Sequence, residues 1–149
     1  MTESTLVYMF RGNEVLLAMK KRGHGEGKWN GPGGKLKAGE TALEAAVRET
    51  QEEVGVTPVL GRELGNVTYH DDAYGELLVH VFRASKWKGE PIESEEMKPR
   101  WFTIQEIPYH EMWEGDDQWL AKVINDYPFS AEIWSDGKGG VTNIEIKTP

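Results

Sequence analysis

The chain has 149 residues, with 17 basic and 25 acidic side chains and a formal net charge of −8. This length suits a single domain spanning residues 1–149, and the acidic balance argues against a nucleic-acid polymer or an anionic membrane as partner. The sequence contains no cysteine, which excludes disulfide bonds and thiol chemistry.

Patterns of apolar residues predict seven strands, six of which form three antiparallel pairs. Turn residues separate the two members of each pair, and the last turn runs from Asp136 to Gly140. The predicted strands are Leu6–Phe10, Val15–Met19, Leu64–His70, Glu76–Phe82, Arg100–Thr103, Ala131–Trp134 and Val141–Lys147.

Two helices interrupt these strands. The first follows the glycine-rich loop Gly23–Gly34, and the second is predicted over Asp116–Asp126. The second helix has an apolar side formed by Trp119, Leu120, Val123 and Ile124. Strands interrupted by two helices predict an α+β protein with a mixed sheet between helical layers.

The first helix lies in the segment GKLKAGETALEAAVRETQEEVGV, between Gly34 and Val56. Glu49, Glu52 and Glu53 fall within roughly a 100° arc, since successive residues of an α-helix advance by about 100°. The side that faces the core is predicted to carry Leu43, Val47, Thr50 and Val54, with Thr41 as N-cap and Gly55 as terminator. The helix therefore has one face for packing and one face of carboxylates.

A solvated surface is the common explanation for a glutamate-rich helix face. Two features favour a metal site here. No lysine or arginine falls on the acidic arc, and glycines at 31, 33 and 34 surround Pro32, leaving backbone groups open to a phosphate or metal. Because hard divalent cations prefer oxygen ligands, we expect Mg²⁺ at this face, with Mn²⁺ as a possible substitute.

The spacing of these residues resembles the Nudix box of the Nudix hydrolases. Gly34, Glu40, Arg48-Glu49, Glu52-Glu53 and Val54-Gly55-Val56 occupy the positions of that motif. Thr50 departs from it, standing where the family usually has an aliphatic residue. The resemblance implies an α/β/α sandwich and a metal-dependent hydrolase of nucleoside diphosphate derivatives.

The resemblance also implies roles for individual residues. Glu49, Glu52, Glu53 and the carbonyl of Gly34 are the expected Mg²⁺ ligands, and Arg48 is expected to orient a carboxylate. Glu96 lies in a second acidic group, PIESEEMKPRWF, and matches a glutamate that approaches the metal or the attacking water in related enzymes. Glu52, Glu53 and Glu96 are all candidates for the general base, while an exposed acidic loop is the plainer interpretation of Glu96.

Longer segments, including VLLAMKKRGHGEGKWNGPGGKLKAGE and IPYHEMWEGDDQW, are similar to the oxidised-purine nucleoside triphosphatases of the family. Those enzymes cleave 8-oxo-dGTP and 2-hydroxy-dATP to a monophosphate and pyrophosphate. The similarity implies substrate-binding roles for Thr5, Lys20, Asn30, Gly33, Lys35, Trp113, Asp116 and Asp117.

The chemistry of these residue types fits a purine pocket. Asn30 carries a donor and an acceptor for a purine edge, and Trp113 offers a face for stacking, with a role as a core anchor as the less favoured alternative. A protonated and an ionised aspartate at 116 and 117 would accept several purine patterns. Lys20 could offset phosphate charge or be exposed.

The sequence departs from those relatives at several positions. Two residues, Glu114 and Gly115, separate the tryptophan from the aspartate pair where the relatives have one. Aromatic residues of the related pocket are replaced here by His24, Pro32, Thr68 and His70. These replacements bear on the choice among purines more than on phosphate chemistry.

The interpretation is therefore a Mg²⁺-dependent Nudix hydrolase that removes oxidised purine nucleoside triphosphates from the nucleotide pool. The alternatives are hydrolysis of ADP-ribose or a nucleotide sugar, or a catalytically silent nucleotide sensor. The expected partner is a small nucleotide, and the protein is expected to be a monomer or homodimer. Met1-Thr2-Glu3 is not a basic leader and no long apolar run occurs, so we expect a cytoplasmic location without a membrane span.

Overall fold

A computed structural model describes residues 1–138 and 140–149. Gly139, within the predicted last turn, lies outside the described residues. The strands are β1 Thr2–Arg11, β2 Glu14–Lys20, β3 Trp29–Asn30, β4 Thr57–Pro58, β5 Gly65–Asp71, β6 Gly75–Ala84, β7 Trp87–Lys88, β8 Met97–Thr103, β9 Phe129–Ser135 and β10 Val141–Lys147. The helices are α1 Ala42–Val54 and α2 Asp116–Ile124, and short 3₁₀ turns cover Ile104–Glu106 and Tyr109–Glu111.

Eight of these strands form one mixed sheet in the order β10-β9-β5-β6-β1-β2-β3, with β8 also paired to β2. β1 pairs with β6 in parallel, and β5 pairs with β9 in parallel. The three predicted hairpin pairs are antiparallel neighbours, as expected. The sequence did not indicate the two-residue strands β3, β4 and β7, because a strand this short has no measurable periodicity.

The sheet separates two apolar layers, which confirms the sandwich architecture. Along β1, Tyr8 and Phe10 pack toward α2, whereas Val7 and Met9 pack toward α1. This alternation is the period of two that places successive side chains on opposite faces. Trp119, Leu120 and Val123 of α2 are fully buried, as predicted.

Helix α1 begins and ends as expected, and Thr50 and Val54 are buried as predicted, but the rest of its packing side differs. Thr41 is the N-cap of a capping box with Glu44, and Gly55 ends the helix at φ 74°. Leu43, predicted to face the core, is exposed, and its partner Val47 is only half-buried. The side that packs on the sheet instead includes the small residues Ala45 and Ala46, because the helix is rotated to bring part of its acidic arc inward.

A histidine of β5, His70, is held between two carboxylates. Nδ1 of His70 lies 2.7 Å from Glu76, Nε2 lies 2.9 Å from Glu132, and the ring stacks on Trp134. The hydrogen bond to Glu132, followed by the interaction with Glu76, raises the pKa of His70 above 6.5. The protonated ring is thus stabilised by the fold.

We expect His70→Gln to lose most stability on the acidic side of neutrality. A raised folded-state pKa gives a stabilising contribution that is complete below the unfolded value and disappears as pH rises through the folded value. Urea unfolding at pH 6 and pH 8.5 measures the difference. His110→Gln is the control, since His110 is exposed and its ion pair with Glu111 is long, at 3.8 Å. A deficit in H70Q that is the same at both pH values would contradict this interpretation.

Candidate active site

Two glutamates of α1 lie against the glycine loop that precedes the helix. The N–H of Gly33 donates to Oε2 of Glu53 at 3.1 Å, and both Glu49 and Glu53 are half-buried. A Cβ atom on Gly34 would lie only 2.4 Å from the carboxyl carbon of Glu49. A side chain at residue 34 would therefore displace the carboxylate of Glu49 from its present position against the loop.

Arg48 connects the acidic groups of this site. Its Nε and Nη2 donate to both carboxylate oxygens of Glu40, at 2.6 and 2.8 Å, and Nη2 also donates to the carbonyl of Lys35. Its Nη1 donates to Glu49 at 2.8 Å and to Glu52 at 3.2 Å. The expectation that no basic side chain offsets the acidic arc was wrong, because the long side chain of Arg48 reaches into that arc from its edge.

The charges at this site shift one another's ionisation. The hydrogen bond from Arg48 lowers the pKa of Glu40 to about 2, and the same contact raises the pKa of Arg48. Burial, and then the charge of Glu49, raises the pKa of Glu53 to about 7, against the opposing hydrogen bond from Gly33. Glu40 is therefore a fixed anion, whereas the surroundings of Glu53 favour its neutral form unless a cation is present.

The second acidic loop lies beside the C-terminal turn of α1. Ser94 donates to the carbonyl of Glu53 at 3.1 Å, which fixes the loop against the helix. Glu96 is exposed and forms an ion pair with Arg22 at 3.3 Å, and its charge is close enough to act on Glu53. The structure thus brings Glu96 to the edge of the same site as Glu53.

The residues present fit a hard divalent cation, although they are not already arranged around one. Within residues 1–138 and 140–149, no three histidine or acidic side chains are gathered as a metal site. The carbonyl of Gly34, an expected ligand, accepts hydrogen bonds from the amide and hydroxyl of Thr5 at 2.9 and 3.2 Å. The fit rests on the side chains of Glu49, Glu52 and Glu53, which supply oxygen donors only.

Four expected substrate-binding residues lie around this loop. Thr5 is buried and binds Gly34, while a Cβ on Gly33 would lie 1.8 Å from the carbonyl oxygen of Thr5. Lys35 is exposed and continues the loop through a bridge to Ser4. Lys20 is half-buried, and its positive charge acts to lower the pKa of Glu53.

A cavity of about 330 Å³ opens on the other face of the sheet. Asn30 and Trp113 both line it, and Asn30 lies only three residues before Gly33. The ring of His24 lies 5.2 Å from that of Trp113, and Nζ of Lys28 lies 5.2 Å from the same ring. The lining is completed by residues that include Leu6, Leu77, Val79, Tyr69 and Asp71.

The polar groups at the floor of the cavity are already partly engaged. Oδ1 of Asn30 accepts from the hydroxyl of Tyr8 at 2.8 Å and from the N–H of Gly31 at 2.9 Å. This arrangement leaves the amide nitrogen of Asn30 as its free group, whereas the sequence suggested that both ends would read a purine. Asn30 is thus placed to donate rather than to bind bidentately.

The two aspartates are placed differently. Asp116 is fully buried at the start of α2, and its Oδ1 accepts from Tyr69 at 2.7 Å and from Nε1 of Trp119 at 3.0 Å. Burial raises the pKa of Asp116 to about 7, despite these hydrogen bonds. Oδ2 of Asp116 is buried and has no hydrogen-bond partner among the residues that the structure describes. Asp117 is exposed, and neither aspartate is among the residues that line the cavity.

Sequence reasoning chose the wrong face of β5 for the pocket. Thr68 and His70 were matched to aromatic pocket positions, but Tyr69 and Asp71 are the β5 residues that line the cavity. A register difference of one residue exchanges the two faces of a strand. Tyr69 was missed for this reason. The signal that could have shown it is Val67, an apolar residue two positions earlier that lies on the same face of the strand.

Comparisons with known proteins agree with this geometry. The NUDIX domain model matches residues 2–123. The oxidized purine nucleoside triphosphate hydrolases of Danio rerio and Mus musculus are 46% and 40% identical to the chain, each over 84% of this chain and 81% of the relative. The crystal structure of the MutT protein from Bacillus halodurans superposes with a TM-score of 0.88 at 26% identity, covering 99% of this chain and 98% of that one.

The chain therefore belongs to the Nudix family, and it is a Nudix hydrolase. Hydrolases of this family use divalent metal ions. In the described part of the chain, no helix has the length and apolar character needed to cross a membrane.

Gly34→Ala is expected to impair the metal site while leaving the fold intact. The new methyl group would occupy the space of the Glu49 carboxylate, so we expect the divalent-cation concentration for half-maximal hydrolysis to rise by about 10–100-fold. A titration of activity against Mg²⁺ measures this change. Gly61→Ala is the control, because nothing lies within 4 Å of a Cβ built at Gly61. Equal cation requirements in the two variants would show that Glu49 does not need this space.

Proposed function

We propose that this protein is a Mg²⁺-dependent pyrophosphohydrolase of oxidised purine nucleoside triphosphates, such as 8-oxo-dGTP or 2-hydroxy-dATP, that yields a monophosphate and pyrophosphate. The observation that carries this proposal is the loop from Asn30 to Gly34. One end of this loop, Asn30, lines the cavity together with Trp113, and the other end, Gly33, contacts Glu53 of α1. The names of the relatives from Danio rerio and Mus musculus support the same substrate class.

The acidic side of the loop suits the chemistry of a triphosphate. A phosphoanhydride is shielded by its own negative charge, and a bound Mg²⁺ or Mn²⁺ supplies the neutralising charge. We propose Glu49, Glu52, Glu53 and the carbonyl of Gly34 as its ligands. Arg48 would then hold Glu49 and Glu52 in position, since it already contacts both.

The activated water requires a base, for which three glutamates are candidates. Glu53 is the least exposed of them, Glu52 is held by Arg48, and Glu96 lies at the edge of the site on the loop that Ser94 anchors. A group that binds the metal is less available as a base, so Glu96 is the proposed base or additional ligand if Glu52 and Glu53 both bind the cation.

The cavity suits a purine base. Trp113 provides a face for stacking, worth about 1–3 kcal/mol per base. The amide nitrogen of Asn30 would donate to a base acceptor, and Oδ2 of Asp116 would contact a base N–H or carbonyl. We propose that Thr5 and Gly33 shape the loop, that Lys20 and Lys35 attract the phosphates, and that the exposed Asp117 contributes charge at the rim.

The proposed substrate also suggests where the protein acts. A sanitising enzyme must work where free nucleoside triphosphates are present, which supports a cytoplasmic location. A single chain supplies every residue of the proposed site, so either a monomer or a homodimer would be active. We therefore propose no macromolecular partner for the reaction.

Glu53→Gln is expected to lower kcat by about 10²–10⁴-fold, because a neutral amide can neither bind the cation strongly nor accept a proton. The fold should be kept, since the amide oxygen can still accept from Gly33. Steady-state kinetics with saturating Mg²⁺ and a thermal unfolding curve measure the two quantities. Glu90→Gln, at an exposed position outside the site, is the control. Activity near that of the wild type in E53Q would remove Glu53 from the metal site.

A substrate panel tests the proposed activity directly. We expect kcat/KM for 8-oxo-dGTP or 2-hydroxy-dATP to exceed that for dGTP and dATP by at least about tenfold, the effect of one well-placed polar contact. The products should be a monophosphate and pyrophosphate, as identified by chromatography. Equal rates for ordinary and oxidised triphosphates would contradict the specificity, and turnover of ADP-ribose alone would contradict the substrate class.

A further inference from the structure

Two tyrosines hold the two polar groups that are proposed to read the base: Asn30, which lines the cavity, and Asp116, which is buried behind the lining residue Tyr69. Tyr8, in β1, is fully buried, and its hydroxyl donates to Oδ1 of Asn30 at 2.8 Å. Tyr69, in β5, lines the cavity, and its hydroxyl donates to Oδ1 of Asp116 at 2.7 Å. Each tyrosine thus contacts one of the two groups that are proposed to read the base.

The contacts of Oδ1 with Gly31 and Tyr8 together determine which end of the Asn30 amide faces the base. An unrestrained amide can rotate by half a turn and exchange its donor for its acceptor. Here Oδ1 accepts from both Tyr8 and the N–H of Gly31. The reversed orientation would set an NH₂ group against the N–H of Gly31 and would require the Tyr8 hydroxyl to change from donor to acceptor. Asn30 is therefore restricted to offering its amide N–H groups.

The contact with Tyr69 restricts Asp116 in a similar way. Oδ1 accepts from Tyr69 and from Nε1 of Trp119, and both of these donors are fixed by packing in the core. Oδ2 is buried and has no partner among the described residues. The carboxyl group is thus left with one oxygen for a further contact, at a defined position.

The hydroxyl groups are not needed for packing. Phenylalanine would fill nearly the same volume at both positions without placing a hydroxyl in an apolar layer, where an unpaired polar group is costly. Burial raises the pKa of both Tyr8 and Tyr69, so both phenols remain protonated donors. Each tyrosine thus keeps an O–H group that can donate to its carbonyl or carboxyl partner.

We propose that Tyr8 and Tyr69 are positioning residues for base selection, fixing Asn30 as a donor and leaving Asp116 one free oxygen. This inference rests on the proposed function, because it assigns Asn30 and Asp116 to the base. The pattern favours a purine that presents an acceptor to Asn30 while a polar edge group reaches Asp116. Neither tyrosine takes part in the hydrolysis itself.

The variants Tyr8→Phe and Tyr69→Phe test this role, with Tyr127→Phe as the control at an exposed position. We expect each of Y8F and Y69F to change the ratio of kcat/KM between 8-oxo-dGTP and dGTP by about tenfold, the effect of one hydrogen bond to a polar group. The change should appear in KM, with kcat for the preferred substrate within about threefold of the wild type. Circular dichroism and thermal unfolding establish that each variant is folded.

A double-mutant cycle tests whether Tyr69 acts through Asp116. In the Asp116→Asn background, Tyr69→Phe should change the base ratio by less than about twofold, because the partner that it orients has already been altered. An undiminished effect of Y69F in D116N would overturn the proposed route. A merely structural role would lower activity on all bases together, so a uniform loss would also overturn the inference.

The outcomes separate this inference from the proposed function. If the wild type shows no preference for oxidised bases, the proposed substrate specificity is wrong. The positioning role still stands if Y8F or Y69F shifts whatever preference the wild type has among dGTP, dATP, dCTP and dTTP. If the wild type prefers oxidised purines and neither variant changes that preference, the proposed function stands and the positioning role is wrong.

Discussion

The close passage of the loop from Gly31 to Gly34 across the end of β1 is the constraint on which the site depends. The amides of Thr5 and Val7 donate to the carbonyls of Gly34 and Pro32, which holds the loop to the strand. A side chain at residue 33 would meet the carbonyl of Thr5, and one at residue 34 would meet Glu49. The loop can therefore contact strand and helix at once because residues 33 and 34 have no side chains.

This passage connects the two halves of the site. Asn30, at one end of the loop, lines the cavity on the α2 side of the sheet, while Gly33 and Gly34, at the other end, contact carboxylates on the α1 side. A nucleotide has the same division, with an apolar base and a charged phosphate chain. A substrate that follows the loop would thus meet a stacking surface first and the acidic groups second.

Arg48 and the two tyrosines hold other polar side chains in place on opposite sides of the sheet. Like charges gathered on one helical turn repel one another, and Arg48 offsets this by contacting Glu40, Glu49 and Glu52 together. On the α2 side, Tyr8 and Tyr69 hydrogen-bond to Asn30 and Asp116 and hold each of them in one orientation. In both places, hydrogen bonds restrict the groups that are proposed to bind the metal or the base, and such restriction lowers the cost of binding.

The sequence by itself determined the α+β class, the three hairpin pairs and the ends of α1, and it grouped the acidic residues of the candidate site. Hairpin turns, a capping box at Thr41 and a period of two in the strands are local features, so they can be read from neighbouring residues. Tertiary structure alone decided the rotation of α1, the reach of Arg48 and the face of β5 that lines the cavity. Leu43 is exposed and Tyr69 faces the cavity because packing across the sheet sets a helix's rotation and a strand's register.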